Sequence, residues 1–180
     1  MKKILVVVDM QNDFVDGALG SAEAVSIVDK VVNKINEFDG EIIVTYDTHL
    51  SNYMETREGK YLPVPHCIEN TNGWLLNSKV EHALVKHALV NKNVYRIKKP
   101  TFGSVKLVNV LSNVDEINTE ITFVGLCTDI CVVSNAMLLK ANYPEMDIIV
   151  DASCCAGVTP EKHAAALEVM KSCQINIVNE

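Results

Sequence analysis

The sequence predicts an α/β domain in three layers, a six-stranded and mostly parallel sheet with helices on both faces, of Rossmann-like type. Three observations predict it. Apolar β-branched runs recur along the chain and are continuous rather than alternating, as in strands buried on both faces. Segments of helical periodicity separate them, so strand and helix alternate. Charged and thiol residues collect where the apolar runs stop, and in such sheets ligands bind beyond the carboxyl ends of the strands.

The first expected strand is 4–9 (ILVVVD). Ser21 is placed to cap a helix running to about Phe38, with Val25, Val28, Val31, Val32 and Ile35 on one face and Gly40 ending it. Residues 41–47 (EIIVTYD) form the second strand, and 93–98 (NVYRIK), stopped by Pro100, the third. The fourth is 120–126 (EITFVGL), followed by a helix over 130–141. A fifth strand covers 146–151 (MDIIVD), and a short last one 175–178. Between them Thr159 caps a helix over 161–172, with Pro160 in its first turn. The strand ends are then Asp9, Asp47, Lys98 with Lys99, the turn at 126–131, and Asp151.

Composition narrows the function. The 180 residues carry a net charge of −7 and no basic tract, a poor match to nucleic acid or an anionic membrane surface. The aliphatic run 4–8 follows two lysines like a signal peptide, but Asp9, Asn12 and Asp13 interrupt it, and it is far too short to span a bilayer. The expectation is a cytoplasmic protein of one domain, 1–180. Its six cysteines are then reduced thiols, each a small core hydrophobe unless something argues otherwise. The segment from Thr48 to about Ser78 breaks the strand–helix rhythm. It is rich in His, Asn, Glu and Pro and too long for a simple connector, which marks a functional excursion.

Candidate chemistry lies at the strand ends. In Gly125-Leu126-Cys127-Thr128-Asp129-Ile130-Cys131-Val132 a buried strand turns into a helix, and Cys131 falls in the first turn. Free N–H groups and a positive partial charge there lower a thiol pKa and can hold an oxyanion. Cys131 is thus a candidate nucleophile, although spacing alone does not separate it from a cysteine packed under the sheet. Asp9 ends an aliphatic strand at the ligand edge, where a carboxylate is costly unless paired or working. Asp13 better suits a loop-capping role. Strand alternation puts Tyr95, Ile97 and Lys99 on one face and Arg96 and Lys98 on the other, so one lysine can enter the site while the other meets solvent. Asp47-x-His49, with Glu58 and His66 in the excursion, has the donor types of a Zn²⁺, Mn²⁺ or Fe²⁺ site. His82, His87 and His163 fall on helical patterns and are expected at the surface.

Together, D-x-Q-x-D-F near the N-terminus, K-P-T-F-G-S mid-chain and G-x-C-T-D-x-C-V resemble the isochorismatase-like cysteine hydrolase family. The set D-x-H … H-C resembles its nicotinamidase/pyrazinamidase branch, and the resemblance spans nearly the whole chain. It implies a catalytic set of Asp9, Lys99 and Cys131, with Lys99 chosen because the family lysine lies three residues before the aromatic here at Phe102. It also implies a cis peptide between Leu126 and Cys127, an oxyanion hole from the N–H groups of Cys127 and Cys131, and Phe14 stacking on the substrate ring. Asp47, His49 and His66 are the implied ligands of one divalent transition metal (Zn, Mn or Fe), and Glu58 matches a fourth ligand of some members. The implied activity is hydrolysis of nicotinamide or a related small amide through a thioester, in a homo-oligomer (dimer or higher). The alternative is an isochorismatase-like hydrolase acting on another small substrate. Two departures from the family pattern are Leu50-Ser51-Asn52, where a Trp is frequent, and Phe102-Gly103-Ser104-Val105.

Overall fold

Strands apolar on both faces must be covered on both, and the chain does this with two layers of helix. The computed structural model describes residues 1–90 and 93–180. Strands β1 (Lys2–Val8), β2 (Glu41–Asp47), β3 (Val94–Lys99), β4 (Thr119–Leu126), β5 (Asp147–Ala156) and β6 (Asn176–Val178) make a six-stranded sheet in the order β3-β2-β1-β4-β5-β6. Every neighbouring pair is parallel. The order reverses direction between β1 and β4, which is the switch point where such sheets bind ligands.

The helices are α1 (Asn12–Val15), α2 (Ala22–Glu37), α3 (Arg57–Tyr61), α4 (Ser78–Leu89), α5 (Val105–Val110), α6 (Val133–Asn142) and α7 (Pro160–Ser172). A 3-10 turn at Tyr53–Glu55 and a π turn at Thr128–Val132 complete the described elements. α2 and α4 cover one face, burying Ile27, Val31, Ile35, Val80 and Leu84 against Leu5, Val7 and Val44. α5, α6 and α7 cover the other, with Leu107, Leu139 and Met170 and, from the turn before α6, Val132 against Val6, Val8 and Phe123. Each such side chain contributes about 1.5–3 kcal/mol when fully buried.

The expected caps are present: Ser21 accepts from the Ala24 N–H at 3.0 Å and Thr159 from the Lys162 N–H at 3.2 Å. The buried stripe of α2 holds Val28, Val31 and Ile35 as expected and adds Ala24 and Ile27, while Val32 is half-buried and Val25 lies exposed. A 3.6-residue period sets Ala24 and Ile27 on the line of Val28 and Val31 and turns Val25 outward. β5 also runs past the expected end at residue 151 to Ala156, because Cys155 and Ala156 pair with Gly125 and Leu126 of β4. Asp151 is therefore inside a strand and not at the ligand edge. It is buried and ion-paired with Lys34 of α2 at 2.7 Å, with a further bond from Ser153, and these partners hold its carboxyl below the usual range against the opposing effect of burial. His87 is buried rather than at the surface, its Nε2 3.0 Å from the Gly40 carbonyl, and His163 is half-buried beside Thr128. No helix among the described residues is long and apolar enough to cross a membrane.

Candidate active site and metal centre

The carboxyl ends of β1, β2, β3 and β4 bring the sequence candidates to one place. Asp9 follows β1 with φ of 47°, a left-handed conformation that Asp tolerates better than bulkier residues. Beside it, Gly125 has φ of 115°, and a Cβ there would overlap the Val8 carbonyl oxygen, so only glycine lets β4 run this close to β1. The peptide between Leu126 and Cys127 is cis, as the resemblance implied. The chain then enters the π turn that carries Cys131.

Asp9, Lys99 and Cys131 form one buried cluster, exposed by 0%, 1% and 4%. Lys99 Nζ lies 2.6 Å from Asp9 Oδ2 and 3.3 Å from Cys131 Sγ, and it donates to the Thr101 carbonyl at 3.1 Å. Asp9 Oδ1 accepts from the Thr45 hydroxyl at 2.6 Å. Oδ2 lies against the lysine ammonium, and the Cys131 thiol is near enough to the Asp9 carboxylate to hydrogen-bond to it. Lys98 points elsewhere, pairing with Glu69 at 2.7 Å and lying over the Trp74 ring. Alternation along β3 thus sends the two lysines to different environments.

The electrostatics correct one expectation. A helix start was expected to lower the Cys131 thiol. Burial, and next the Asp9 carboxylate, instead push it well above its ordinary value, with Lys99 opposing. Desolvation of a buried sulfur at the foot of the cavity outweighs the turn's partial charge. Burial likewise raises Asp9, against Lys99, which makes it a stronger base. Burial works against the Lys99 charge, but Asp9, Cys131 and Asp47 more than compensate and keep it an ammonium.

The second cluster adjoins the first through Asp47, whose Oδ1 lies 3.8 Å from Lys99 Nζ. One ligand atom from each of Asp47, His49, Glu58 and His66 lies within 4.8 Å of the others. His49 Nε2 is 3.0 Å and His66 Nε2 3.4 Å from Asp47 Oδ2; the same nitrogens are 3.5 and 3.7 Å from Glu58 Oε1. Bonds of about 2.0–2.2 Å to one ion set neighbouring ligand atoms about 3–3.5 Å apart, so two imidazoles and two carboxylates here fit a divalent metal. His66 Nδ1 faces the Val64 carbonyl at 2.8 Å, which fixes the tautomer that frees Nε2. Tyr53, fully buried, packs its ring edge-on against His49 and His66 at 4.7 and 5.0 Å. Burial would raise Asp47, but the His49 and His66 rings set against its Oδ2 and the Lys99 charge nearby hold it below the usual carboxylate range.

Both clusters open on a cavity of about 400 Å³ whose lining includes Phe14, Asp47, Glu58, His66, Phe102 and Cys131. The Phe14 ring lies 5.5 Å from that of His66. A wider groove of about 730 Å³ beside Trp74 and Arg96 holds no thiol and none of the four candidate metal ligands, and its Arg96 is paired with Glu81.

Several supporting residues escaped the sequence reading. Gln11, fully buried, joins its amide to both the N–H and the carbonyl of Asp47 at 2.8 Å, as a neighbouring strand would. Its place in D-x-Q-x-D-F was the available signal. Thr45 and Asn135 lie outside every sequence motif of the site. Asp13 has the capping role expected of it, accepting from the Cys67 N–H at 2.7 Å and so pinning the loop that carries His66.

Fold and site define an α/β domain with a cysteine at a strand-to-helix turn, set against an aspartate–lysine pair and a histidine–carboxylate cluster. The chain belongs to the isochorismatase domain family, whose profile matches residues 3–179. It is 31% identical over 174 residues, 93% of each chain, to an isochorismatase family protein of Bacillus subtilis strain 168. To the nicotinamidase/pyrazinamidase of Mycobacterium tuberculosis it is 27% identical over 191 residues, covering 98% of both. Among solved structures, a Bacillus subtilis nicotinamidase/pyrazinamidase superposes with a TM-score of 0.85 at 28% identity, over 99% of this chain and 100% of that one. The pyrazinamidase of Pyrococcus horikoshii, solved in complex with zinc, superposes with a TM-score of 0.76 at 26% identity, over 100% of both chains.

Proposed function

We propose that the chain is a cysteine-dependent amidohydrolase of the nicotinamidase type, converting nicotinamide or a related small amide to its acid and ammonia. The observation that carries this reading is one cavity of about 400 Å³, near the low end of ordinary small-ligand sites, lined both by Cys131 of the buried catalytic cluster and by Asp47, Glu58 and His66 of the four-ligand cluster. The names of its full-length relatives support the choice of amide.

In the reaction, Phe14 and Phe102 flank the substrate ring and hold the amide carbon at Cys131. Asp9 Oδ2 takes the thiol proton as sulfur attacks that carbon. The main-chain N–H groups of Cys127 and Cys131 receive the oxyanion. The carbon–nitrogen bond breaks, and Asp9 returns the proton to the departing nitrogen, which leaves as ammonia. Water then attacks the thioester and gives Asp9 a proton, which passes to sulfur as the acid leaves. Lys99 stays charged throughout and offsets the negative charge on Asp9 and sulfur. A Zn²⁺, Mn²⁺ or Fe²⁺ ion held by Asp47, His49, Glu58 and His66 would supply a Lewis-acidic anchor for the ring nitrogen. The reading includes the homo-oligomer implied by the family resemblance. It also includes a cytoplasmic setting, whose reducing conditions suit six free thiols.

The metal part has its own test. His49→Ala is expected to raise KM for nicotinamide about tenfold or more while slowing acylation less. Elemental analysis of protein purified without chelator should find one divalent metal per chain in wild type and less in the variant. Metal-free wild type with full activity would remove the ion from the scheme. Metal-loaded protein inert on nicotinamide but active on another small amide would keep the site and change the substrate.

A further inference from the structure

Asparagine is a weak helix former because its side chain competes for main-chain partners. Asn135 nonetheless sits inside α6, one turn after Cys131, and is fully buried. A buried amide is costly unless its donors and acceptor are used. Here Oδ1 accepts from the Ser104 N–H at 2.9 Å, and Nδ2 donates to the carbonyls of Phe102 at 3.1 Å and Cys131 at 2.7 Å. These partners belong to two separate segments, the nucleophile turn and the loop that leaves β3 just after Lys99.

That loop touches the site twice. Its Thr101 carbonyl accepts from Lys99 Nζ at 3.1 Å, and its Phe102 ring lines the cavity. It also lies close on α6, since a Cβ added to Gly103 would come within 3.2 Å of the Ser134 carbonyl oxygen. Asn135 is therefore a brace between the residue that attacks and the segment that holds the lysine beside it. Resting on the function proposed above, we infer that Asn135 is a positioning residue for acylation, fixing the 101–104 loop against the Cys131 turn and so keeping the Lys99 ammonium 3.3 Å from the sulfur.

The test compares metal-loaded wild type with Asn135→Ala and Gly103→Ala. Displacement of a catalytic group by an ångström costs about 100-fold, so Asn135→Ala is expected to lower kcat for nicotinamide by about that factor. KM should change less than kcat, because Phe14 and the candidate metal ligands that also hold the substrate are untouched, whereas Phe102 moves with the loop. Gly103→Ala makes the loop and α6 give way by a few tenths of an ångström without opening the core and should lower kcat in the same sense by less. A second readout is the pH profile of Cys131 alkylation by iodoacetamide, mapped by mass spectrometry. Its midpoint should move to higher pH in Asn135→Ala as the lysine drifts from sulfur, a change that lost stability alone does not produce. Folded Asn135→Ala with wild-type kcat and profile, or with a loss confined to KM, overturns the inference. If Asn135→Ala does not fold, unchanged kcat and profile in Gly103→Ala overturn it. Wild type inert on nicotinamide refutes the nicotinamidase reading instead, and the alkylation profiles then decide the role of Asn135 alone.

Discussion

Cys131→Ser is expected to lower kcat/KM for nicotinamide by about three orders of magnitude or more, because a serine hydroxyl is a far weaker nucleophile at its free pKa. The substitution is nearly isosteric at a buried site, so the fold should survive, and circular dichroism with an ammonia-release assay separates the two effects. The same experiment distinguishes Cys131 from the other five thiols. Limiting iodoacetamide should label Cys131 first, despite its burial, because Asp9 beside it can take the thiol proton, Lys99 stands 3.3 Å from its sulfur to offset the charge, and the cavity gives access. Burial also holds Cys154 and Cys155 above the ordinary thiol value, and neither lines that cavity, so they should react late. Preferential labelling of Cys154 or Cys173 with activity retained would remove Cys131 from the mechanism.

Lys99→Ala is expected to abolish measurable turnover and to weaken the fold as well. Asp9 is fully buried, and its Oδ2 has the Lys99 ammonium 2.6 Å away. Removing the lysine leaves that carboxylate uncompensated, and breaking a buried pair in this way costs about 3–5 kcal/mol. The protein can escape part of that cost by protonating Asp9, which would also destroy the base. Lys98→Ala removes only an exposed pair with Glu69 and a contact over Trp74, worth about 1 kcal/mol or less, and should leave turnover close to wild type. Thermal unfolding and steady-state rates of both variants decide this. Loss of activity in Lys98→Ala with retention in Lys99→Ala would mean that the two faces of β3 are exchanged.

The strands were legible where burial on both faces leaves an unbroken aliphatic run: β1, β2 and β4 start or end within two residues of their expected bounds. β5 was cut short because Ser153, Cys154 and Cys155 do not read as strand-core residues, yet pairing with β4 carries the strand through them. α5 and the short helices around the excursion were not read, because segments of this length carry too few periods to show a face. At the site, strand-end chemistry pointed to Asp9, Asp47 and Cys131, and alternation with the family motif separated Lys99 from Lys98. The protonation of Cys131 was misjudged because position on a helix says nothing about enclosure. Asn135 and Thr45 were missed for a related reason: each acts through contacts from another segment, and no local spacing encodes those.

The most direct measurement is the conversion of nicotinamide by metal-loaded wild type, with nicotinate and ammonia both quantified and the reaction acid-quenched for peptide mapping. The proposed chemistry requires nicotinate and ammonia in equal amounts and a nicotinoyl thioester confined to the Cys131 peptide. Folded, metal-loaded protein that leaves nicotinamide and related small amides untouched, or that turns nicotinamide over with the acyl group on another residue, would contradict it.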